Sequence, residues 1–356
     1  MKMSKFFSKK YQNLTPYVPG EQPKEREYIK LNTNESPFPP SDFTIKKAYE
    51  AAKKLHLYPD PDAKELTSLV AKELGVQSEN VILTNGSDEI LNFAFMAYCD
   101  STTPAIFPDI SYGFYKVFAE INNLPYKEIP LREDFSVCVD DYIGVKGTVF
   151  IANPNAPTGL LLPLSEIERL LSADKERIVV IDEAYVDFGG ESAVKLIDKY
   201  DNLIVTQTFS KSRSMAGARL GFGVANKEII SDLISIKYST NPYNVNSMTA
   251  CAGVGAITDK VYFLSNCAAV MRNREWTKKE LEKLGFSVTD SKANFVFAKH
   301  NAISGKDLYL KLKERGVLVR HFDKERIKEY NRITIGNFEQ MQTFIQRVKE
   351  ILEELK

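Results

Sequence analysis

Short apolar runs alternate with helix-length amphipathic segments from about residue 42 onward, and this alternation limits the folds open to the chain. The apolar runs lie at 81–83, 105–107, 148–152, 178–181, 203–206 and 220–224. Between several of them lie amphipathic segments, such as 63–74, 89–98 and 164–173. Strands that are apolar throughout and alternate with helices indicate an α/β fold whose mostly parallel sheet is covered on both faces. Ligands bind at the carboxyl ends of such strands, so the residues after each run are the candidates for a site.

The two ends of the chain follow different patterns. Residues 1–40 are mostly polar and rich in Pro and Asn, which predicts an extended arm rather than a core element. The C-terminal third combines a continuous helical pattern over 248–284 with strand-like segments and a last helix, at 293–298, 317–320, 332–335 and 338–355. We therefore predict an N-terminal arm at 1–40, a large domain at 41–250 and a small α+β domain at 251–356.

Charge and composition exclude several classes of partner. The chain has 47 Lys and Arg residues against 47 Asp and Glu residues, so no overall attraction to nucleic acid or to an anionic membrane is expected. No run approaches the roughly 18 apolar residues of a membrane span, and the basic N-terminus lacks the apolar core of a secretory signal. The four cysteines and three histidines are scattered, which argues against a disulfide framework and a metal centre. These features predict a cytoplasmic protein without a metal.

The segment after the run at 81–83 reads Thr-Asn-Gly-Ser-Asp-Glu and leads into a helix. Gly86 permits a tight turn, while Ser87 and Asp88 suit the first turn of the helix. The free backbone N–H groups at a helix start bind anions. Neither a Walker loop nor a Gly-x-Gly-x-x-Gly motif is present, which weakens an ordinary nucleotide site. A capped turn without any ligand is the alternative at this point.

Polar residues also follow two central runs. Asp182 comes directly after the run at 178–181, with Tyr185 three residues later. A carboxylate that leaves a buried strand needs a cationic or protonated partner, although it could instead cap a helix. The loop at 153–159, after the run at 148–152, is fixed by two prolines and a glycine and could turn its Asn side chains toward the same strand ends.

Lys211 follows the run at 203–206, where burial would lower the pKa of its amine and make it a nucleophile. Thr208 and Ser210 offer hydroxyls beside it, and Arg219 offers a guanidinium fork for a phosphate. Taken alone, Lys211 could equally be a solvated loop residue.

One ligand would use all of these strand ends together. The helix start suits a phosphate, Asp182 suits a basic ring nitrogen, Asn155 and Tyr185 suit a phenolic oxygen, and Lys211 suits an aldehyde. Pyridoxal 5′-phosphate carries all four groups. The sequence therefore predicts this cofactor.

Three motifs resemble those of the fold-type-I aminotransferases, which depend on pyridoxal 5′-phosphate. They are Asn-Pro-Asn-Ala-Pro-Thr-Gly at 153–159, Asp-Glu-Ala-Tyr at 182–185, and Ser-Lys at 210–211 followed by Gly217 and Arg219. A narrower resemblance, to the histidinol-phosphate aminotransferase family, spans about 14–336. It rests on the segments 14–20, 31–38, 58–60, 86–89, 108–115, 316–320 and 332–336.

The resemblance implies a fold, a reaction and an assembly. The fold has a large domain with a mostly parallel seven-stranded sheet, a small α+β domain, and an arm that packs with the small domain or with a dimer partner. The reaction is transamination of L-histidinol phosphate with 2-oxoglutarate, a step of histidine biosynthesis. The assembly is a homodimer with shared active sites.

The site residues of the family carry over residue by residue. Lys211 would form the Schiff base with the cofactor, Asp182 would pair with its ring nitrogen, and Tyr185 with an Asn would hold its ring oxygen. The other cofactor residues implied are Ser87, Asp88, Tyr112 against the ring, Thr208, Ser210, Arg219 and the partner subunit's Tyr58. The substrate residues implied are Tyr17, Asn32, Arg320 and Arg332.

The sequence departs from the family at two positions. Ala156 stands where many relatives have a second Asn, which leaves Asn153 and Asn155 as candidates for the ring oxygen, and we expect Asn155. Pro39 stands where relatives often have Gly, so the arm could sit differently.

Other functions remain open. They are a threonine-phosphate-type decarboxylase, an aromatic or other aminotransferase whose substrate lacks phosphate, and a non-catalytic binding protein built on the same fold. The presence of both Lys211 and Asp182 disfavours the last of these.

Overall fold

A computed structural model describes residues 4–11 and 14–355. The strands are β1 (Ile29–Lys30), β2 (Val81–Thr84), β3 (Ala105–Pro108), β4 (Tyr126–Ile129), β5 (Thr148–Ala152), β6 (Val179–Asp182), β7 (Leu203–Thr208), β8 (Gly221–Ala225), β9 (Phe286–Val288), β10 (Phe295–His300), β11 (Val317–Leu318), β12 (Arg320–His321) and β13 (Asn331–Thr334). The helices are α1 (Asp42–Ala52), α2 (Lys64–Leu74), α3 (Ser87–Tyr98), α4 (Phe114–Ile121), α5 (Leu164–Ala173), α6 (Lys227–Thr240), α7 (Ser247–Thr258), α8 (Lys260–Lys283), α9 (Gly305–Glu314) and α10 (Phe338–Glu353).

The main sheet has seven strands in the order β2-β8-β7-β6-β5-β3-β4. Neighbouring strands are parallel except β8, which runs antiparallel to both β2 and β7. All six apolar runs form strands of this sheet, which confirms the predicted fold class. The seventh strand, β4, was not predicted from the residues, because it lies at the edge of the sheet and two of its four side chains are exposed.

Two hydrophobic layers cover the sheet. Side chains of α3, α4 and α6 pack on the face that includes Val180, and side chains of α2, α5 and α7 pack on the face that includes Ile181. Because both faces are covered, consecutive residues of the central strands are buried. This double burial explains why these strands are apolar throughout rather than alternating.

The register of the strands brings the predicted site residues to one edge of the sheet. Ala152, Asp182 and Thr206 lie side by side across the parallel strands β5, β6 and β7. Because β8 is antiparallel, its first residue, Gly221, pairs with Thr208 on one side and with Thr84 on the other. The loops that follow β2, β5, β6 and β7 therefore meet the loop that precedes β8.

A second, antiparallel sheet has the order β12-β13-β10-β9 and packs with α8, α9 and α10. The segment before α1 joins this part of the molecule, because β1 pairs in parallel with β11. The predicted division at residue 250 falls inside α7, which packs against α1 and α2. The division into domains stays a prediction.

The continuous helix predicted over 248–284 is wrong. The chain forms α7 and α8 instead, with Asp259 between them at φ −82° and ψ 66°, outside the helical region. The Asp259 side chain accepts a hydrogen bond from the backbone N–H of Tyr262 and so caps α8. Asp is a preferred residue at the start of a helix, so Asp259 could have indicated the break. The helical pattern on both sides of it favoured one continuous helix instead.

Candidate active site

A cavity at the strand ends collects nearly all of the predicted cofactor residues. It is lined by Ser87, Asp88, Tyr112, Ala152, Ala156, Asp182, Ala184, Tyr185, Thr208, Ser210, Lys211 and Arg219. It adjoins a cleft of about 760 Å³, which shares Tyr112, Ala156, Tyr185 and Lys211 with it. The predicted substrate residues Tyr17, Asn32, Arg320 and Arg332 all line this cleft.

One end of the cavity is built to receive an anion. Helix α3 begins there at Ser87, and no side chain of the described residues caps its first turn. Gly86 has φ +77°, and a Cβ at this position would lie 2.6 Å from Arg219 Nη2. Arg219 Nη1 donates to Ser210 Oγ at 3.3 Å. Unpaired backbone N–H groups, hydroxyls and a guanidinium are the groups that proteins use to bind phosphate.

Asp88 ties this end of the cavity to its aromatic wall. One carboxylate oxygen accepts from Arg219 Nη2 at 3.0 Å, and the other accepts from the Tyr112 hydroxyl at 2.6 Å. Burial, together with the Asp88 charge, raises the pKa of Tyr112 well above its ordinary value. Tyr112 is therefore a neutral, fixed ring at the side of the cavity.

Asp182 is buried at the end of β6. It accepts hydrogen bonds from the Tyr115 hydroxyl at 3.1 Å and from Thr206 Oγ1 at 3.3 Å. Burial raises the pKa of Asp182 to about 6, because a charged carboxylate is poorly solvated there. A cationic ligand beside it would restore the ionised form.

Lys211 is half-buried and lines both the cavity and the cleft. Burial, together with the positive charge of Arg332, lowers the pKa of its amine to about 8. Its Nζ donates to the Thr33 carbonyl at 3.4 Å and lies 5.9 Å from the centre of the Tyr185 ring. An amine with this pKa is partly unprotonated near neutral pH and can act as a nucleophile or a base.

Tyr185 lines the cavity and the cleft together with Lys211. Its ring packs edge-on against Phe295, and its hydroxyl oxygen accepts from Asn34 Nδ2 at 2.9 Å. Burial raises the pKa of Tyr185, while Arg332 and the hydrogen bond from Asn34 act in the opposite direction.

Arg320 and Arg332 lie directly opposite each other in the register of β12 and β13. Arg332 is half-buried, and loss of solvation lowers the pKa of its guanidinium. Its Nη2 donates to the Asn32 carbonyl at 3.0 Å. Arg320 donates to the carbonyls of Val18 and Pro19 at 3.0 and 3.3 Å. The two guanidinium groups therefore face one cleft, and each still has N–H groups beyond these contacts for an anion.

The arm residues complete the outer wall of the cleft. The Tyr17 ring stacks on Phe114, with 4.4 Å between ring centres. Asn32 Nδ2 donates to the Glu21 carbonyl at 2.9 Å, and its Oδ1 has no hydrogen-bond partner among the described residues.

Two predicted cofactor residues lie away from the cavity. Asn155 Nδ2 donates to the Ile110 carbonyl and to Thr158 Oγ1, both at 3.0 Å, and it is the neighbouring Ala156 that lines the cavity. Tyr58 is 82% exposed on the outer surface, where its ring stacks on Tyr243. Asn153, the other candidate for the ring oxygen, pairs with the backbone of Leu162.

Sequence reasoning missed Tyr115 and Thr206, which donate to Asp182, and Asn34, which donates to Tyr185. The signal for Thr206 was available, because it is a polar residue inside an otherwise apolar buried strand. Tyr115 and Asn34 come from distant parts of the chain, and nothing local indicates their partners.

Comparison with known proteins identifies the family. The sequence matches the family described as aminotransferase class I and II over residues 26–348. The chain belongs to the class I and II aminotransferases. This aminotransferase is 48% identical to the histidinol-phosphate aminotransferase of Brachyspira hyodysenteriae, over 99% of this chain and 100% of that one.

Two solved structures show how widely the fold is shared. The histidinol-phosphate aminotransferase of Sinorhizobium meliloti, solved in complex with pyridoxal 5′-phosphate, matches with a TM-score of 0.90 at 20% identity, over 99% of both chains. The L-threonine-O-3-phosphate decarboxylase of Porphyromonas gingivalis matches with a TM-score of 0.79 at 24% identity, over 91% of this chain and 99% of that one. The fold alone therefore does not choose between these two reactions.

Family membership confirms the predicted cofactor, because aminotransferases of this class depend on pyridoxal 5′-phosphate. The cavity fits this group, because its lining includes an anion-binding helix start, a buried carboxyl and a lysine of lowered pKa. Across residues 4–11 and 14–355, no cluster of three or more His, Cys, Asp or Glu residues could hold a metal ion. Within the same ranges, every helix is too short or too polar to cross a bilayer.

Proposed function

We propose that this aminotransferase exchanges an amino group between L-histidinol phosphate and 2-oxoglutarate, as a cytoplasmic step of histidine biosynthesis. The observation that carries the proposal is the pair Arg320 and Arg332, side by side in the cleft next to Lys211. A guanidinium binds phosphate and carboxylate equally well through paired N–H groups. One cleft can thus receive the phosphate of the amine in one half-reaction and a carboxylate of the keto acid in the other.

Different residues of the cavity would bind different parts of the cofactor. The start of α3 at Ser87 and Asp88, with Thr208, Ser210 and Arg219, would bind the phosphate. Asp182 would pair with the ring nitrogen, Tyr185 would donate to the ring oxygen, Tyr112 would pack on the ring, and Lys211 would hold the aldehyde carbon. When bound, the cofactor supplies an electron-withdrawing ring that makes the Cα–H bond of the substrate acidic.

Lys211 is the residue suited to move the Cα proton. Its amine lies at the boundary between the cavity and the cleft, and its pKa of about 8 leaves a useful unprotonated fraction near neutral pH. The Asp182 carboxylate would be ionised beside the protonated ring nitrogen of the cofactor and would hold that proton in place. Tyr115 and Thr206 fix the carboxylate of Asp182 through its two oxygens.

A homodimer with shared sites accounts for the exposed position of Tyr58. Three side chains near it in sequence, Tyr49, Leu55 and Leu57, remain more than two-fifths exposed. The same holds for Tyr243, whose ring stacks on Tyr58. Contact between two such surfaces would bury them and bring Tyr58 to the neighbouring cavity. The Tyr58 loop is fixed on its own chain by Lys237, which donates to the Pro61 carbonyl.

The principal alternative is a decarboxylase of amino-acid phosphates, which the shared fold leaves open. A second alternative is an aminotransferase whose substrate lacks phosphate. The full-length similarity to a histidinol-phosphate aminotransferase at 48% identity favours the proposed reaction over both.

The test is a substrate panel with the purified holoenzyme. Single-turnover absorbance changes of the bound cofactor are recorded with histidinol phosphate, histidinol, glutamate and threonine phosphate, and each product is identified by mass. We expect rapid turnover of histidinol phosphate and of glutamate. Equal rates with histidinol and histidinol phosphate would indicate an aminotransferase that ignores phosphate, and carbon dioxide release from threonine phosphate would indicate the decarboxylase.

Two arginine variants extend the same experiment. Arg332→Ala should slow both half-reactions, because phosphate and carboxylate would share its guanidinium. Arg320→Ala should slow the histidinol-phosphate half-reaction more. Arg132→Ala, an exposed arginine paired with Asp141, is the matched control.

A further inference from the structure

Three consecutive residues between β1 and α1 each contact one of the groups assigned to chemistry. The Asn32 carbonyl accepts from Arg332, the Thr33 carbonyl accepts from Lys211, and Asn34 Nδ2 donates to the Tyr185 hydroxyl. The first two contacts use backbone carbonyls, which any residue provides. Only at Asn34 does the identity of the side chain decide the contact.

The orientation of the Asn34 amide is fixed by its surroundings. Asn34 is 1% exposed, and its Oδ1 accepts from Thr334 Oγ1 at 3.0 Å. Its backbone N–H donates to the same hydroxyl oxygen, and its carbonyl accepts from Asn294 Nδ2 at 3.0 Å. With Oδ1 held as an acceptor by Thr334, the NH₂ group is the one that faces Tyr185.

This orientation determines the direction of the Tyr185 proton. A phenol has one proton, and the Tyr185 oxygen already accepts from Asn34 at 2.9 Å. The proton is therefore free to point into the cavity that Tyr185 lines.

The neighbouring Asn155 amide has no uncommitted donor in this structure. Both of its N–H groups donate to protein acceptors, and Ala156 presents only a methyl group to the cavity. Of Asn155 and Tyr185, it is Tyr185 that has an uncommitted proton.

We propose that Asn34 is a positioning residue, which holds the Tyr185 oxygen as an acceptor and so directs the Tyr185 proton at the ring oxygen of the bound cofactor. This inference rests on the proposed cofactor arrangement. It assigns to the arm a role in the chemistry of the cofactor, in addition to its place in the wall of the cleft.

Two substitutions test the inference without disturbing the backbone. Asn34 has φ +55°, a conformation that Gly and Asp also adopt readily. Asn34→Asp keeps the shape of the side chain but replaces the donor with an acceptor, and Asn34→Gly removes the side chain. The measurement is the pH at which the absorbance of the bound cofactor changes, in the holoenzyme without substrate.

The directed hydrogen bond stabilises the deprotonated, negatively charged form of the ligand, so its loss moves the midpoint to higher pH. We expect a shift of about one pH unit or more in both variants, which is a tenfold change in proton affinity. Asn294→Ala, which removes only the bond to the Asn34 carbonyl, should titrate like the wild type.

A double-mutant cycle separates this role from a general structural one. In a Tyr185→Phe background, Asn34→Gly should produce no further shift, because the group it positions is gone. Additive shifts, or a wild-type midpoint in Asn34→Asp, would overturn the inference. If the wild-type protein gains no cofactor absorbance when pyridoxal 5′-phosphate is added, the proposed function fails instead, and that outcome is distinct.

Discussion

Arg219 Nη2 lies 3.0 Å from Asp88 Oδ2 at the start of α3, so the cation of the anion-binding end is already paired with a carboxylate. Both side chains are partly exposed, so the pair itself adds little to stability. The pair instead positions side chains, because Asp88 also accepts a hydrogen bond from the Tyr112 hydroxyl. The pair sets the guanidinium and the aromatic ring in fixed positions before a ligand arrives.

Arg219→Ala should weaken binding of the phosphorylated cofactor and leave binding of unphosphorylated pyridoxal nearly unchanged. A charge-assisted hydrogen bond is worth about 1.5–3 kcal/mol, which corresponds to roughly a 10- to 100-fold loss of affinity. Equilibrium titration of the apoprotein with both compounds measures the difference. Arg169→Ala, a surface arginine with two acidic partners, is the control. An equal loss for both compounds would mean that Arg219 only supports the fold.

Lys211→Ala should bind the cofactor without forming a covalent link to it. Borohydride reduction followed by mass spectrometry should attach the cofactor to the wild-type protein and to the exposed-lysine control Lys195→Ala, but not to this variant. A reducible adduct that persists in Lys211→Ala would assign the link to another amine.

Asp182→Asn should retain the fold and lose most of the activity, by roughly 10²–10³-fold, because a neutral amide cannot hold a proton on the ring nitrogen. In the wild-type apoprotein the pKa of Asp182 is raised to about 6 by burial. The carboxyl is therefore neutral below this pH and ionised above it. We expect cofactor affinity to fall as the pH drops below about 6 in the wild type but not in Asp182→Asn. An identical pH dependence in both proteins would contradict the pairing.

Mixing two inactive variants tests the shared site. Each hybrid of Lys211→Ala with Tyr58→Ala contains one site in which both residues are intact, so about a quarter of the sites should recover after random exchange. Activity is measured after exchange has been verified with differently tagged chains. Exchange without recovery would place every essential residue of a site on one chain.

Glu183 gives a prediction about stability that does not involve the cofactor. It is buried next to Asp182 and accepts from Ser192 Oγ, the Ala193 N–H and Gln207 Nε2, yet burial raises its pKa from 4.5 to about 7. Between these two values the unfolded chain loses its proton while the folded chain keeps it. The free energy of unfolding should therefore fall as the pH rises from about 4.5 to 7.

In Glu183→Gln the free energy of unfolding should fall less over this pH range, by a difference on the order of 3 kcal/mol at most. Denaturant titrations of the apoprotein at pH 5 and pH 8 measure it, with the more exposed Glu168→Gln as the control. If Glu183→Gln keeps the wild-type pH dependence, another group is responsible.

The sequence was sufficient to predict the six apolar strands of the main sheet and the residues at their ends. Buried strands are apolar throughout, so the polar residues that follow them stand out, as Asp182 and Lys211 do. Family membership agrees with this interpretation. The edge strand β4 gave no such contrast, because its exposed Lys127 and Glu128 look like loop residues.

The directions of side chains could not be predicted in this way. Asn155 and Ala156 are neighbours, and only the backbone conformation of the loop decides which of them faces the cavity. The contact between Asn34 and Tyr185 joins residues 151 positions apart, and no local pattern indicates it. Such contacts depend on how the arm packs across the finished fold.

The reversed direction of β8 has a consequence for the spacing of the site. In a wholly parallel sheet, the residues before β8 would lie at the opposite edge from Lys211. Here one connection between β7 and β8, the loop at 209–220, carries both Lys211 and Arg219, which line the same cavity. The separation of these two side chains therefore depends on the length and path of this loop. Insertions or deletions in this loop are therefore less tolerable than in any connection that supplies only one contact.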